Sequence, residues 1–303
     1  MSVELYSDEL IAYGTDNQMQ DFYIKPGNDY YEIYFRKGPF YFNREKISLD
    51  QGKQLISRFK YIGEMDVSEH RKTQFGATTY PLLKGPQRLR LSSVGDYRQR
   101  ESLVIRFLHT FGVSQENYCV PEQLTIIQQQ IAGRGLFLFS GPVGSGKTTL
   151  MYKLAQEMEG QVITIEDPVE IEVDHFLQLQ INDKINQDYD ELIKLSLRHH
   201  PDILIIGEIR DTKTIQAAVR AALTGHCVFA TIHAKDLAGA TARAYELGGE
   251  TDLLKEVLKG VVYQELLPIA TNEVGLMLAY EFLNTGVAAS WVEGLKAFET
   301  KND

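Results

Sequence analysis

The 303-residue chain is short of several things, and each shortage removes a class of explanation. It has two cysteines, Cys119 and Cys227, too few for a disulfide framework or a four-ligand zinc site. No apolar run approaches the roughly 18 residues of a membrane span. The opening Met-Ser-Val-Glu-Leu-Tyr-Ser-Asp-Glu is acidic and has no signal-peptide profile, so the expectation is a cytoplasmic protein, at most peripheral on the inner face of a membrane. Internal repeats and low-complexity segments are missing. A basic surplus is missing too. Net charge is −10, about +2 in residues 1–112 and −12 in 113–303. Phosphate backbones demand Lys/Arg neutralisation, so direct nucleic-acid binding is not expected.

What is present is a soluble globular composition, 44% hydrophobic and 24% charged, long enough for two cores. Residues 1–18 carry a short apolar stripe and predict a helix. Asp21 to Asn43 is aromatic and β-branched, broken at Pro26-Gly-Asn28 and Lys37-Gly-Pro39, which predicts three antiparallel strands. Its tyrosines suit cross-strand packing better than a stacking platform for bases. Ser48 and Gln51 form a capping box ahead of an amphipathic helix over 49–64 that covers this sheet. Residues 75–111 return to strand character, with 88–92 paired to 102–106. Six basic residues between Lys84 and Arg106 face two acidic ones, as a solvated strand edge would also have.

Gly135 to Phe139 reads as a buried strand, followed by Ser140-Gly141-Pro-Val143-Gly144-Ser145-Gly146-Lys147-Thr148-Thr149. This matches G-x-x-x-x-G-K-S/T, the phosphate-binding P-loop. The glycines let consecutive N–H groups face a polyphosphate, and the next helix offers its positive end to the same anion. Lys147 is expected on the β- and γ-phosphates and the Thr148 hydroxyl on Mg²⁺. Apolar runs at 162–165, 203–206 and 227–232 then alternate with helices near 189–199, 213–223 and 237–247, the pattern of βαβ units in a parallel sheet. The tail predicts helix 252–262, strands near 264–270 and 276–283, and helix 287–299.

Ligands sit beyond the carboxyl ends of such strands. There lie Glu166, Glu208 after Ile203-Leu-Ile-Ile-Gly207, and His233 at the end of the strand that His226 begins. Gly207 stands where a Walker B strand carries its metal-binding Asp, so Glu166 is the candidate to support the metal and Glu208 to orient or deprotonate water. A helix dipole would equally favour an acid at 208. His226 and His233 are metal ligands in principle, but they lack partners at ligand spacing, and zinc is not expected. His199 and His200 read as cations near a helix end. No N-K-x-D guanine signature occurs.

In order, the P-loop, Ile163-Thr-Ile-Glu166-Asp-Pro-Val-Glu170, Leu197-Arg198 to Asp211 and Thr224-Gly-His226 to His233 resemble the P-loop, aspartate box, Walker B and histidine box of the type II secretion and type IV pilus assembly ATPases. Asp21-Phe-Tyr-Ile-Lys-Pro26 and Met65-Asp66-Val-Ser-Glu69 are similar to motifs of that family's first half. The likeness covers roughly 20–270 and is strongest to its Gram-positive competence-pilus branch. It implies a PAS-like α+β domain (1–112), a linker (113–121) and a RecA-like α/β P-loop ATPase domain with a C-terminal extension (122–303). It further implies a homo-hexamer that hydrolyses Mg-ATP and works on an inner-membrane platform protein. By the same resemblance Arg90 and Arg106 approach the nucleotide on closure, with Arg198 and Arg210 in the motor domain's own set and His226 and His233 near the nucleotide. A four-cysteine metal knuckle is absent, Lys194 stands where relatives often carry Arg, and Gln264-Glu265-Leu266 replaces Q-R-L.

Overall fold

A computed structural model describes residues 2–108, 117–131, 133–182, 185–249, 252–270 and 273–302. The chain divides into two compact units, Met1–Ser114 and Gln115–Asp303. Of the segment read as a linker, 113–116 lie outside the described residues. Beyond them Tyr118 bridges to Leu276, and Cys119 and Val120 are buried.

The first unit is a six-stranded antiparallel sheet in the order β3-β2-β1-β6-β5-β4, with two helices. Its elements are α1 (Val3–Asp16), β1 (Asp21–Pro26), β2 (Tyr30–Lys37), β3 (Phe40–Ser48), α2 (Leu49–Ile62), β4 (Gln74–Tyr80), β5 (Gln87–Gly95) and β6 (Glu101–Leu108). Period-two alternation sends Phe22, Ile24, Ile33, Phe35, Leu89, Leu91, Leu103 and Ile105 into one core with Leu55, Ile56 and Phe59 of α2. The Ser48–Gln51 capping box forms as expected. The tyrosines do pack across strands. Tyr23 stacks on Tyr34 with ring centroids 4.7 Å apart, and Tyr34 meets Tyr41 edge-on. Beside this core the fully buried Lys60 ammonium lies 2.6 Å from Glu101, and His70 holds the other Glu101 oxygen at 3.0 Å.

The second unit is an eight-stranded sheet in the order β14-β13-β12-β7-β11-β10-β8-β9, with β12 to β9 mutually parallel. The strands are β7 (Gly135–Ser140), β8 (Val162–Glu166), β9 (Leu177–Gln180), β10 (Ile203–Ile206), β11 (Cys227–Thr231), β12 (Leu258–Ala270), β13 (Glu273–Phe282) and β14 (Val287–Ala289). The helices are α3 (Pro121–Gln130), α4 (Lys147–Gln156), α5 (Tyr189–Leu197), α6 (Thr212–Leu223), α7 (Leu237–Gly248), α8 (Asp252–Val257) and α9 (Trp291–Asn302). Every residue of β7 is buried, as a parallel strand covered on both faces requires. Leu136, Leu138, Ile165, Ile206 and Val228 pack with Ile215, Ala218 and Ala240 of α6 and α7. Phe137, Phe139 and Phe229 interlock edge-on.

The tail differs from its sequence reading. The helix expected over 252–262 ends at Val257, and from Leu258 the chain is already strand. Val261, Val262 and Tyr263 prefer a pleated surface, and β7 offers them an open parallel edge. The helix expected from 287 starts at Trp291, because Val287–Ala289 first adds a strand to β13. The strand β9 was not anticipated. Its Leu-Gln-Leu-Gln is half exposed and too short to show a pattern.

Candidate functional site

The carboxyl ends of β7, β11, β10 and β8 share one edge of the sheet, and the candidate chemistry collects there. Ser140 ends β7, and the loop to α4 turns on Gly141 (φ 142°), Gly144 (77°) and Gly146 (86°). Only glycine takes these dihedrals without strain. Gly141 is also sterically obligatory, since a Cβ there would sit 2.0 Å from the Gln264 carbonyl oxygen of β12. Pairing of Tyr263 with Ser140 sets that approach. Val143 is exposed at the loop tip, and Thr148 and Thr149 are half-buried in the first turn of α4. The Lys147 ammonium donates to the carbonyls of Gly141 (2.9 Å) and Pro142 (2.8 Å). Burial lowers its pKa, while the Glu208 and Glu170 carboxylates pull it back up.

Glu208 leaves β10 with both oxygens engaged: His233 Nε2 lies 3.1 Å from one, and Arg210 Nε donates to the other at 2.6 Å. That bond raises the Arg210 pKa. Asp167 stands 3.7 Å from the same guanidinium. Thus Glu208 and Arg210, two residues apart, and His233, from beyond the end of β11, form one cluster at this edge. The glycine preceding Glu208 has a packing reason. A Cβ on Gly207 would meet the Ile165 carbonyl oxygen, Glu166 Cα and the Tyr189 hydroxyl, all between 3.1 and 3.2 Å.

Glu166, at the end of β8, is turned inward. One carboxylate oxygen accepts from the Tyr152 hydroxyl and, at 2.6 Å, from Thr164 Oγ1. Gln178 donates to Tyr152 Oη at 2.9 Å and to the Ile171 carbonyl at 2.8 Å, while its own oxygen accepts from Val173 N. Burial raises the Glu166 pKa, opposed by the Thr164, Tyr152 and Gln178 hydrogen bonds. Tyr152, raised by burial and by Glu166, is therefore the proton donor of the pair. Sequence reasoning missed Tyr152 and Gln178, and noted Gln264 only within the stretch that replaces Q-R-L. The available signal was a polar residue at a core position, Tyr152 on the inner face of α4 and Gln264 within the apolar run from Val261.

Two candidates are not brought to this edge. His226 precedes β11, at the opposite end of the sheet, where its Nδ1 donates to the Ala221 carbonyl at 3.0 Å and caps α6. Seven residues of extended chain separate it from His233, roughly 20 Å, so the two cannot share a metal. Arg198 is exposed beyond the end of α5, on the same opposite edge. In the first unit Arg90 and Arg106 are cross-strand partners on the face away from the helices. Arg106 donates to Asp21 at 2.9 Å and Arg36 donates to the other Asp21 oxygen at 2.8 Å, which leaves Asp21 only 1% exposed.

Whether the loop suits a triphosphate can be judged from its own atoms. The Ser145 hydroxyl is buried in it without a hydrogen-bond partner, three positive-φ glycines set its backbone, and a cation lies along it. For Mg²⁺, which keeps waters and phosphate oxygens as most of its ligands, the Thr148 hydroxyl is the protein group the loop offers, while Glu166, expected to support the metal, has one oxygen taken by Tyr152 and Thr164.

Residues 2–287 match the family model described as Type II/IV secretion system protein. The chain belongs to that family. Within the family, a competence protein, ComGA, of Streptococcus pneumoniae is 46% identical over 267 residues, 88% of this chain and 85% of that protein. ComGA of Bacillus subtilis is 34% identical over 276 residues, 89% of this chain and 77% of that one. In fold, the Legionella pneumophila ATPase DotB is similar with a TM-score of 0.72 at 19% identity, over 97% of this chain and 84% of that one.

Proposed function

We propose that this family member is a Mg-ATP-hydrolysing motor that powers assembly of a competence pilus used in DNA uptake. The observation that carries the reading is the P-loop on β7 with the Glu208–His233–Arg210 cluster two strands away on the same sheet edge. The 46% identity to a protein named for competence supports the choice of process. When bound, Mg-ATP would supply the phosphoanhydride bond and the charge neutralisation. Lys147 would leave the loop carbonyls for the β- and γ-phosphates, the loop amides would hold the same oxygens, and Thr148 with Glu166 would hold the metal, Glu166 through water. Glu208 would orient and deprotonate the attacking water, with His233 sensing the γ-phosphate. Arg210, and Arg90 and Arg106 of the first unit, would place positive charge against the transferring group. Arg198 and His226 lie at the wrong edge for this chain's own site and are left out of it.

The wider reading is a PAS-like domain (1–112) joined by a linker (113–121) to a RecA-like motor domain (122–303). Six copies would form a ring beneath an inner-membrane platform protein. Among the described residues no helix is long and apolar enough to cross a membrane, which fits a peripheral place in this scheme. Phosphate release by the purified chain with Mg-ATP tests the chemistry, and binding without release would leave a nucleotide-gated scaffold instead. Deleting the gene and counting surface pili tests the process: lost pili support assembly, and excess pili would make it a retraction motor. A gel shift at low salt should show no DNA binding.

A further inference from the structure

The residue that stands out beside the P-loop is Gln264 of β12. It is wholly buried, between Tyr263 and Glu265 in a strand that also carries Val261, Val262 and Leu266, and its Nε2 donates to the Ser145 carbonyl at 2.6 Å, 119 residues away in sequence. An acceptor at that distance fixes the amide orientation, because only nitrogen can face a carbonyl. The side-chain oxygen is thereby left buried with no hydrogen-bond partner, as is the Ser145 hydroxyl. A buried orphan acceptor costs stability, and a methionine of equal size would fill the slot without it, though it would leave the Ser145 carbonyl without this donor; only the bond to the loop requires an amide. Packing alone therefore does not account for glutamine here.

The same residue touches the loop a second time. Its backbone carbonyl lies where a Gly141 side chain would be, so β12 backs the first residue of the loop and its side chain holds the fifth. Between these two points lie Pro142, Val143 and Gly144, and directly after them Gly146 and Lys147. We propose that Gln264 is a positioning residue for phosphate binding: it latches the Ser145 carbonyl so that the amides of Gly146, Lys147 and Thr148, at the start of α4, stay turned toward the anion. The inference rests on the reading of this loop as a nucleotide site. It assigns a task to strand β12, which carries no P-loop residue and makes no direct contact with phosphate in this scheme.

The test compares Gln264→Met and Gln264→Glu with wild type in the full chain, titrated with a fluorescent ATP analogue and Mg²⁺ and melted without nucleotide. Methionine removes both the donor and the orphan oxygen. The apo melting temperature should move by no more than a few degrees, while the dissociation constant rises about tenfold. Glutamate keeps the shape, loses the donor and adds a charge near the phosphates, so its loss of affinity should be larger. In steady state KM should rise with kcat within about twofold, since the latch acts on ground state and transition state alike. Wild-type affinity in both variants overturns the proposal. So does an affinity loss matched by an equal loss of apo stability, which would make Gln264 a packing residue. Failure of wild type to bind the analogue overturns the functional reading itself, and is seen in the control before any variant is compared.

Discussion

Glu208→Gln separates two magnitudes that the geometry ties to one carboxylate. In the structure each oxygen has one partner, Arg210 at 2.6 Å and His233 at 3.1 Å. Glutamine can keep its oxygen toward the guanidinium, which only donates, and turn its NH₂ toward His233 Nε2, which accepts in the neutral tautomer. No buried group is orphaned. Arg210 and His233 are each more than half exposed, so the lost ion pair costs about 0–1 kcal/mol after solvent screening. Catalysis is different, because no amide can take a proton from water. Removing the base should cost on the order of 10³ in turnover, about 4 kcal/mol. The assay is phosphate release alongside nucleotide-analogue binding and thermal melting on the same preparation. Expected are unchanged binding, a melting temperature within a few degrees, and turnover near background. Turnover within tenfold of wild type would refute the assignment of Glu208 as base. A large fall in melting temperature would refute the account of the cluster as half-solvated.

Other perturbations follow from the same contacts. Gly141→Ala places a Cβ 2.0 Å from a strand carbonyl at a φ of 142°, and the loop must shift; it should abolish binding of the ATP analogue while the first unit's elements persist by circular dichroism. Glu166→Gln tests the buried carboxylate. Because its pKa is raised in the fold, wild type binds the proton more tightly folded than unfolded, so its stability relative to the neutral variant should fall as pH rises from the ordinary glutamate range through the raised value. Urea melts of both proteins across that range read the slope, and parallel curves would refute it. Lys60→Met leaves Glu101 buried with only His70 beside it and should cost about 3–5 kcal/mol by denaturant unfolding.

The parts of the site that were legible in the sequence are those whose chemistry is local. The P-loop carries its glycines, cation and hydroxyl in eight consecutive residues, and the buried strand before it says where the loop points. Glu208 and His233 were readable because both follow apolar runs, and parallel strands bring such ends together. The family resemblance placed His226 near the nucleotide and Arg198 in the motor domain's arginine set, although chain order already put each ahead of its strand. His226 sits in the same run as His233 and Arg198 just ahead of β10, and both fall on the far edge. The inward turn of Glu166 depends on Tyr152 arriving from α4 and Gln178 from a strand too short to predict. Asp21 between Arg36 and Arg106 depends on register across three strands, which no single strand's sequence contains. The overlong helix drawn through 262 had a further effect: it hid that Gln264 runs beside Gly141.

That adjacency has a consequence in time. β7 lies between β11 and β12, so the strand bearing the P-loop is completed on one side by residues made about 90 positions later and on the other by residues made about 120 later. At ~5–20 residues per second, a ribosome finishes Ser140 roughly 6–25 s before it reaches Gln264. During that interval the emerging chain holds every residue of the phosphate loop and lacks the strand that latches it. The bare β7 edge is then open to any other strand. The nucleotide loop is therefore made early and backed late, and its first residue meets the β12 carbonyl only when β12 docks.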